Sequence, residues 1–277
     1  MRKGRGGSIP PHSAVGVPGW KGHQQGSGRK RRGVEYGRTE LMPETVLTVA
    51  TYNTNQEHYG RDPALEDLLR ERGTVICLQE VNPARAFGIK RSLGPRAFVS
   101  LAKYGLLYLA LVMPEGARFL ERRTASLNGC GGVFPRAWSL RRSYALYRAG
   151  RPAWPDGLEP RVAQVASVLW RGREFRLVST HLPYESGLRN RCLELLVGLL
   201  GAGSALLVGD LNATTGNLFL ADFLLAADLR VAGTEEPTHD GGRKIDFVLY
   251  RGGFREVGYS LTKSLSDHRL VRVELEV

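Results

Sequence analysis

The chain has 277 residues, of which 42% are hydrophobic and 24% charged, the balance of an ordinary globular protein with a sizeable core. Its net charge of +12 favours anionic partners such as nucleic acid or acidic lipid headgroups. Three widely spaced cysteines without a Cys-x-x-Cys pair exclude a disulfide framework and a structural zinc site, and no stretch approaches the roughly 20 apolar residues of a membrane span.

Residues 1–45 are predicted to be a disordered basic extension. They hold nine Lys and Arg residues against three acidic ones, are rich in Gly, Pro and Ser, and show no hydrophobic period. One interpretation is an arm that adds non-specific affinity for nucleic acid. The other, which we prefer, is that translation starts at Met42. Because the segment lacks the apolar core of a secretory signal, we expect a cytoplasmic protein. We also expect a monomer without an integral membrane segment.

A single catalytic domain is expected over residues 46–277, and its first part alternates strands and helices. Residues 47–52 alternate as a strand that ends at Asn53, and a helix over 62–72 is opened by the cap and first-turn pair Asp62-Pro63. A buried strand over 74–78 leads into Glu80. A helix over 84–93 and strands over 97–101 and 105–113 follow. Cys77, like Cys192 further on, is expected in the core.

Residues 114–160 are predicted to be irregular, and loops of that length are usually functional or disordered. Eight Arg residues lie between 121 and 161, interleaved with Trp138, Tyr144, Tyr147 and Trp154. These side chains suit contacts with phosphates and bases. The Arg residues fit a solvated surface equally well. For the aromatic residues, we slightly favour the interpretation that they cover the core beneath a long loop. Arg161 is the candidate substrate-binding residue of this segment.

The second half of the domain mixes a hairpin with further strands and helices. Residues 161–170 and 174–180 form the hairpin, which ends at His181. Helices are predicted over 187–200 and 217–227, and strands over 204–208, 244–250, 254–259 and 269–277. This order predicts a layered α/β (α+β) domain, and no internal repeat is present.

Polar side chains recur where predicted strands begin or end. Carboxylates and amides beside apolar runs are costly to bury unless they are paired, hydrogen-bonded or bound to metal. Several of them at strand ends would converge on one rim, where a pocket forms. The residues are Asn53, Glu80, His181, Asp210, Asn212, Asp246, Asp267 and His268.

The ligand types of this set indicate a hard cation. Oxygen donors suit Mg²⁺ or Mn²⁺, whereas zinc favours Cys and His. Two histidines remain for proton transfer or phosphate contact. Each element alone has a simpler interpretation: an Asx turn at Asn53, a plain turn at Asp210, a helix cap at Asp267, or an ion pair between Asp246 and Lys244.

The ordered set resembles the endonuclease/exonuclease/phosphatase superfamily of deoxyribonuclease-like hydrolases, from about Val46 to Val277. The resemblance implies a four-layered sandwich of two mixed, mostly antiparallel β-sheets packed face to face with helices outside, and Mg²⁺-dependent phosphoester hydrolysis. The matching stretches are Thr51-Tyr52-Asn53, Leu78-Gln79-Glu80, Ser179-Thr180-His181-Leu182, Gly209-Asp210-Leu211-Asn212-Ala213, Lys244-Ile245-Asp246-Phe247-Val248 and Ser266-Asp267-His268.

The resemblance also implies a role for each matching residue. Metal ligation falls to Glu80, supported by Asn53 and Asp267, and water activation to Asp210, with Asn212 holding water or a phosphate oxygen. Phosphate contact and charge stabilisation then fall to His268, oriented by Asp246, and to His181, for which the sequence offers no obvious acidic partner. Thr238 fits a common substrate-side threonine.

Departures from the common family pattern bear on which branch of the family the sequence resembles. Tyr52 stands where many members have Trp, and the Thr180-His181-Leu182 form argues against the abasic-site repair branch. A nuclease is favoured. The alternative is a phosphoesterase for anionic lipid or inositol phosphate headgroups, which requires an exposed apolar membrane contact that the sequence does not display. An inactive binding module ranks last, because all predicted ligands are present.

Overall fold

The protein is described by a computed structural model over residues 45–55, 62–103, 107–127 and 161–277, with backbone alone at 101–103. The predicted extension, apart from Thr45, lies outside the described residues. So does the part of the Arg-rich segment between 128 and 160, including all of its aromatic residues. No helix in the described ranges is both long and apolar enough to span a membrane.

The described elements follow one another in the order expected for alternating strands and helices. The helices each begin after a polar cap, and Pro occupies the first turn of the first two. In chain order the elements are β1 (Val46–Asn53), α1 (Pro63–Arg70), β2 (Thr74–Val81), α2 (Pro83–Leu93), a 3₁₀ turn (Gly94–Arg96), β3 (Ala97–Lys103), β4 (Leu107–Val112), β5 (Arg118–Ser126), β6 (Val162–Trp170), β7 (Arg173–His181), α3 (Ser186–Leu200), β8 (Ala205–Asp210), α4 (Leu218–Ala226), β9 (Arg230–Val231), β10 (Asp246–Arg251), β11 (Arg255–Thr262) and β12 (Leu270–Glu276).

The strands form two six-stranded sheets. Sheet A has the order β11-β12-β1-β2-β4-β3, and sheet B has the order β5-β6-β7-β8-β10-β9. In each sheet one parallel pair is central, β1 with β2 in sheet A and β7 with β8 in sheet B, and every other pair is antiparallel. Because the ends of parallel strands meet at one edge of a sheet, Asn53 and Glu80 share one edge and His181 and Asp210 share another.

Three apolar clusters define four layers. One cluster combines buried residues of both sheets, such as Val49 and Val208, and fills the space between them. A second joins sheet B to α3 and α4, and a third joins sheet A to α1 and α2. Helix, sheet, sheet and helix therefore stack in that order, which confirms the predicted four-layered sandwich. Cys77 and Cys192 are buried free thiols, as predicted.

The prediction that residue 114 begins an irregular stretch is wrong at β5. This strand pairs with β6 along its whole length, from Arg118 opposite Leu169 to Ser126 opposite Val162. Most of its side chains are exposed on both faces, so it lacks the period-two hydrophobic pattern that identifies a half-buried strand. The Arg122 guanidinium carbon lies 5.4 Å from the Phe119 ring centroid.

Candidate active site

Three neighbouring strands of sheet B bring polar side chains into one row. The register places His181 opposite Asp210, and Asp210 opposite Asp246. Gly209 makes the approach of β7 to β8 possible. Its φ is +140°, and a Cβ there would lie 1.9 Å from the Thr180 carbonyl oxygen. Only glycine fits this position, so the row depends on it.

Asp246 holds His268 by a double contact. The carboxylate oxygens lie 2.8 and 3.1 Å from His268 Nδ1, and the Thr238 hydroxyl donates to Asp246 Oδ2 at 2.7 Å. Burial alone would lower the pKa of His268, but the hydrogen bond to Asp246 and the charges of Asp246, Asp210 and Asp267 raise it to about 9. The imidazole is therefore predominantly protonated at neutral pH, with Nε2 3.9 Å from Asp210 Oδ2.

Asp210 lies at the centre of the row and is almost completely buried. Its Oδ1 accepts from the Asn212 backbone N–H at 2.9 Å, and its Oδ2 accepts from Asn53 Nδ2 at 3.1 Å. Burial first, and then the neighbouring charge of Asp246, raise the pKa of Asp210 to about 7. A carboxyl group with this pKa can accept a proton near neutral pH.

His181 connects the two sheets. Its Nε2 lies 3.5 Å from Asp210 Oδ2 and 3.2 Å from Asn212 Nδ2, and its Nδ1 lies 3.7 Å from Glu80 Oε1. His181 therefore has two acidic neighbours, one from each sheet. Neither was identifiable from sequence, because they are 101 and 29 positions away along the chain.

Glu80 is turned toward the site by an irregularity in β2. The register of β2 with β4 shifts between Leu78 and Val81, and Glu80 has a φ of +52°, which non-glycine residues rarely adopt. Such a bulge redirects a side chain out of the normal alternation. The Glu80 side chain is 14% exposed, compared with 2% for that of Asp210.

Asp267 is held on the most open side of the site. Asn55 Nδ2 donates to Asp267 Oδ1 at 2.9 Å, and His239 Nε2 lies 3.4 Å from Oδ2. Burial alone would raise the pKa of Asp267, but the Asn55 hydrogen bond and the nearby His268 and His239 lower it below its ordinary value. Asp267 is therefore an ionised carboxylate at neutral pH.

His239 is a site residue that sequence reasoning missed. Its ring packs edge-on against His268, with centroids 4.8 Å apart. The Gly241 backbone N–H donates to His239 Nδ1 at 2.8 Å, so the ring proton of the neutral form sits on Nε2, facing Asp267. No flanking apolar run marks His239, since it lies in a turn.

The simpler interpretations that the sequence offers for single residues are correct at some positions and wrong at others. Asn53 and Asp210 do form Asx turns, since each side-chain oxygen accepts the backbone N–H two residues on, while a second atom of each reaches into the site. The helix cap at Asp267 is wrong, because β12 follows. The ion pair of Asp246 with Lys244 is also wrong, because Lys244 donates to the carbonyls of Ala232 and Thr234.

The two predicted substrate-binding residues are buried beneath the site. Arg161 Nη1 lies 3.5 Å from the His181 carbonyl oxygen. Thr238 is fully buried, and besides donating to Asp246 its hydroxyl accepts from two backbone N–H groups. Contact of either with a substrate stays a prediction. A second buried arginine that sequence reasoning missed, Arg189, donates to the carbonyls of Tyr184 and Asn212.

The donor chemistry fits a hard divalent cation. The described residues contain two groups of possible ligand atoms, and within each group these atoms lie within 4.8 Å of one another. One group is Asp210, Asp246 and His268, and the other is His239, Asp267 and His268. Glu80 belongs to neither, but it adjoins the first group through His181. Carboxylate and amide oxygens predominate around this rim, as magnesium and manganese sites require.

Known proteins with this fold include several solved structures. The human Nocturnin catalytic domain with bound sulfate anion matches with a TM-score of 0.62 at 15% identity, covering 83% of this chain and 94% of that one. D. rerio TDP2 complexed with a single-strand DNA product matches with a TM-score of 0.58 at 14% identity, and the match covers 84% of this chain and 100% of that one. The Bacteroides thetaiotaomicron mannosyl-6-phosphatase matches with a TM-score of 0.58 at 16% identity, and the match covers 83% of this chain and 99% of that one.

Sequence comparison gives the family directly. No curated protein matches the chain in sequence. The profile of the Endonuclease/Exonuclease/phosphatase family, however, matches residues 50–268, which include every candidate site residue from Asn53 to His268. Members of this family are hydrolases of phosphoester bonds and generally depend on divalent metal. The chain belongs to the endonuclease/exonuclease/phosphatase family.

Proposed function

We propose that the protein is a divalent-metal-dependent phosphodiesterase that acts on nucleic acid. The observation that carries the proposal is the single connected cluster in which His181 touches Glu80 and Asp210, and Asp210 in turn faces His268. A carboxylate of raised proton affinity beside a charged imidazole is the pairing that general acid–base hydrolysis requires.

Glu80 and Asp267 would hold the metal, Mg²⁺ or Mn²⁺, from the open side. Both are partly exposed carboxylates, and the segment Asn53–Asn55 connects them, since Thr54 donates to the Glu80 carbonyl and Asn55 to the Asp267 carboxylate. Asn53 would contribute the remaining lone pair of Oδ1. A bound cation would neutralise negative charge on the phosphate.

Asp210 would align the attacking water and take its proton. Its raised pKa allows Asp210 to accept a proton near neutral pH. The hydrogen bonds from Asn212 and Asn53 fix both of its carboxylate oxygens in place. Asn212 would additionally direct its amide toward a water or phosphate oxygen beside His181.

The two imidazoles would act on the phosphate. His268, held by Asp246 at Nδ1, presents Nε2 to the site and can contact a phosphoryl oxygen or donate a proton to the leaving group. Thr238 fixes Asp246 and so sets the orientation of His268. His181 would stabilise charge that develops on the phosphoryl oxygens.

Nucleic acid is favoured as the substrate by the charge of the chain. Without residues 1–45 the chain keeps 30 of its 39 basic and 24 of its 27 acidic residues, and the remaining net charge of +6 still attracts a polyanion. The fold is also shared with TDP2, which binds a single-strand DNA product. Mannosyl-6-phosphatase shares the fold equally, so the fold alone does not select the substrate.

A phosphoesterase for anionic lipid or inositol phosphate is the second candidate, and one observation favours it. Leu218, Phe219 and Leu225 on α4 are 79%, 58% and 84% exposed, which supplies the apolar contact that the sequence did not display. This helix follows directly on the loop that carries Asn212.

The test is a panel of substrates with Mg²⁺: plasmid DNA, single strands, RNA, sphingomyelin vesicles and inositol phosphates. Hydrolysis of a nucleic acid that is lost in Glu80→Ala and His268→Ala is expected. Hydrolysis of lipid or inositol phosphate alone would overturn the nucleic-acid assignment. Unchanged turnover in both variants would overturn the assignment of the site.

A further inference from the structure

Tyr184 and Arg243 form a cation–aromatic pair next to the site that no catalytic step uses. The Arg243 guanidinium carbon lies 5.6 Å from the Tyr184 ring centroid, and Tyr184 is 70% exposed. Tyr184 follows His181 by three residues, and Arg243 precedes Asp246 by three. A side chain this exposed buries little apolar surface, so stability of the fold does not explain its size or place.

A buried arginine connects the backbone of Tyr184 to the loop that carries Asn212. Arg189 is 93% buried and uses Nη1 to donate to the Tyr184 carbonyl at 3.0 Å and to the Asn212 carbonyl at 2.8 Å. Because Asn212 contacts His181, this arginine fixes the position of Tyr184 relative to the reacting groups.

Arg243 is anchored from the other side. Its carbonyl accepts from the backbone N–H groups of Thr238 and His239, both at 3.0 Å. Thr238 holds Asp246, and the His239 ring packs on His268. The cation–aromatic pair therefore spans two site loops, each hydrogen-bonded to residues of the proposed reaction centre.

We propose that Tyr184 and Arg243 form a subsite that stacks one nucleobase beside the scissile phosphate; this rests on the nucleic-acid substrate proposed above. The guanidinium occupies one part of the ring surface, and the high exposure leaves the rest for a base. Base stacking on an aromatic ring tolerates any sequence, and an arginine next to it attracts the neighbouring phosphate. The subsite would select for a base near the cleaved bond without selecting which base.

The experiment measures binding by the full chain in EDTA, where metal-dependent turnover is suppressed. The probe is a single-stranded oligonucleotide with 2-aminopurine, whose fluorescence is quenched by stacking, and a second strand carries abasic residues. Tyr184→Ala is expected to weaken binding about tenfold and to remove the quenching, because a stacked base contributes that order of affinity. Tyr184→Phe should retain both. Phe87→Ala removes an aromatic side chain of the same 70% exposure on α2 and is the matched control.

The outcomes separate this proposal from the proposed function. Quenching by the wild type that Tyr184→Ala loses supports the subsite, whether or not the panel detects hydrolysis of nucleic acid. Equal quenching in the wild type and Tyr184→Ala, or equal affinity of the wild type for the normal and abasic strands, would overturn the subsite even if the strand is hydrolysed. Absence of both hydrolysis and quenching would overturn both proposals.

Discussion

The site has two halves that differ in their access to solvent. Asp210, Asp246 and His268 form a buried half, with side chains 2%, 0% and 8% exposed. Glu80, Asp267 and His239 form an open half, at 14%, 43% and 19%. We therefore propose different purposes for the same residue types. Burial raises the proton affinity of a carboxyl group, whereas a more exposed carboxylate stays charged and can attract a cation.

Asp210 and Asp267 make this contrast clearest. Burial, and then Asp246, raise the pKa of Asp210 to about 7. Burial also acts to raise the pKa of Asp267, but its hydrogen bond from Asn55 and the adjacent imidazoles lower that pKa below its usual value. One aspartate is suited to accept a proton, and the other to remain an anion. Substitutions in each half should therefore have different signatures.

The largest expected effect is on turnover and comes from the buried half. Asp210→Asn keeps the shape of the side chain but removes its capacity to accept a proton, and it should lower kcat about 10³-fold. Steady-state kinetics on the substrate identified by the panel measure this, with circular dichroism to verify folding. A kcat within tenfold of the wild type would remove Asp210 from the proton-transfer role.

The next effect is on stability and tests how the buried half is positioned. Gly209→Ala should reduce the free energy of unfolding by at least about 3 kcal/mol, since the new Cβ meets the Thr180 carbonyl oxygen in a left-handed conformation. Chemical denaturation provides the measurement. Gly198→Ala in α3, where a Cβ meets no atom within 4 Å, is the control and should stabilise by less than about 1 kcal/mol. Equal stability of the two variants would contradict the close approach of β7 and β8.

In the open half the expected change is in metal affinity. Glu80→Gln should weaken Mn²⁺ binding about 100-fold, because it removes the charge of a proposed ligand. Isothermal titration calorimetry reports this without reference to activity. Asp246→Asn is the matched variant in the buried half. It should leave the affinity nearly unchanged, because the Asp246 oxygens are already engaged by Thr238 and His268. If both variants lose metal equally, the division of the site into two halves is wrong.

The smallest effect concerns the support of β1 behind the site. The Tyr52 hydroxyl donates to Asp62, the cap of α1, so Tyr52→Phe should lower the free energy of unfolding by about 1 kcal/mol. Tyr259→Phe is its control, because the buried Tyr259 hydroxyl has no hydrogen-bond acceptor within the described ranges. Thermal or urea unfolding compares them. A larger loss in Tyr259→Phe than in Tyr52→Phe would refute this account of Tyr52.

Local sequence patterns were sufficient to predict most of the strands and the residues at their ends. Apolar runs such as residues 204–208 and 244–250 identify strands, and the polar residue that follows or precedes each run is visible because burial there is costly. The family resemblance then supplied the four-layered arrangement, which local patterns alone do not determine. The structure confirms that arrangement, whereas the chemical roles of the site residues remain proposals.

What could not be predicted depends on contacts between distant segments. The acidic neighbours of His181 come from β2 and β8, and their proximity follows from sheet order and from the bulge at Glu80. His239 and Arg189 lie in a turn and on a helix, where no pattern distinguishes them from ordinary polar residues. The exposed strand β5 carries no alternation, because neither of its faces is substantially buried.

The dependence of turnover on the metal and on Glu80 tests the central claim most directly. With a phosphodiester substrate from the panel, EDTA should abolish hydrolysis by the wild type, and Mg²⁺ should restore it. Glu80→Gln should need far more Mg²⁺ to reach half of its maximal rate. Full hydrolysis in EDTA, or the same Mg²⁺ requirement in the wild type and Glu80→Gln, would contradict a reaction centre built around a cation at the open half of the site.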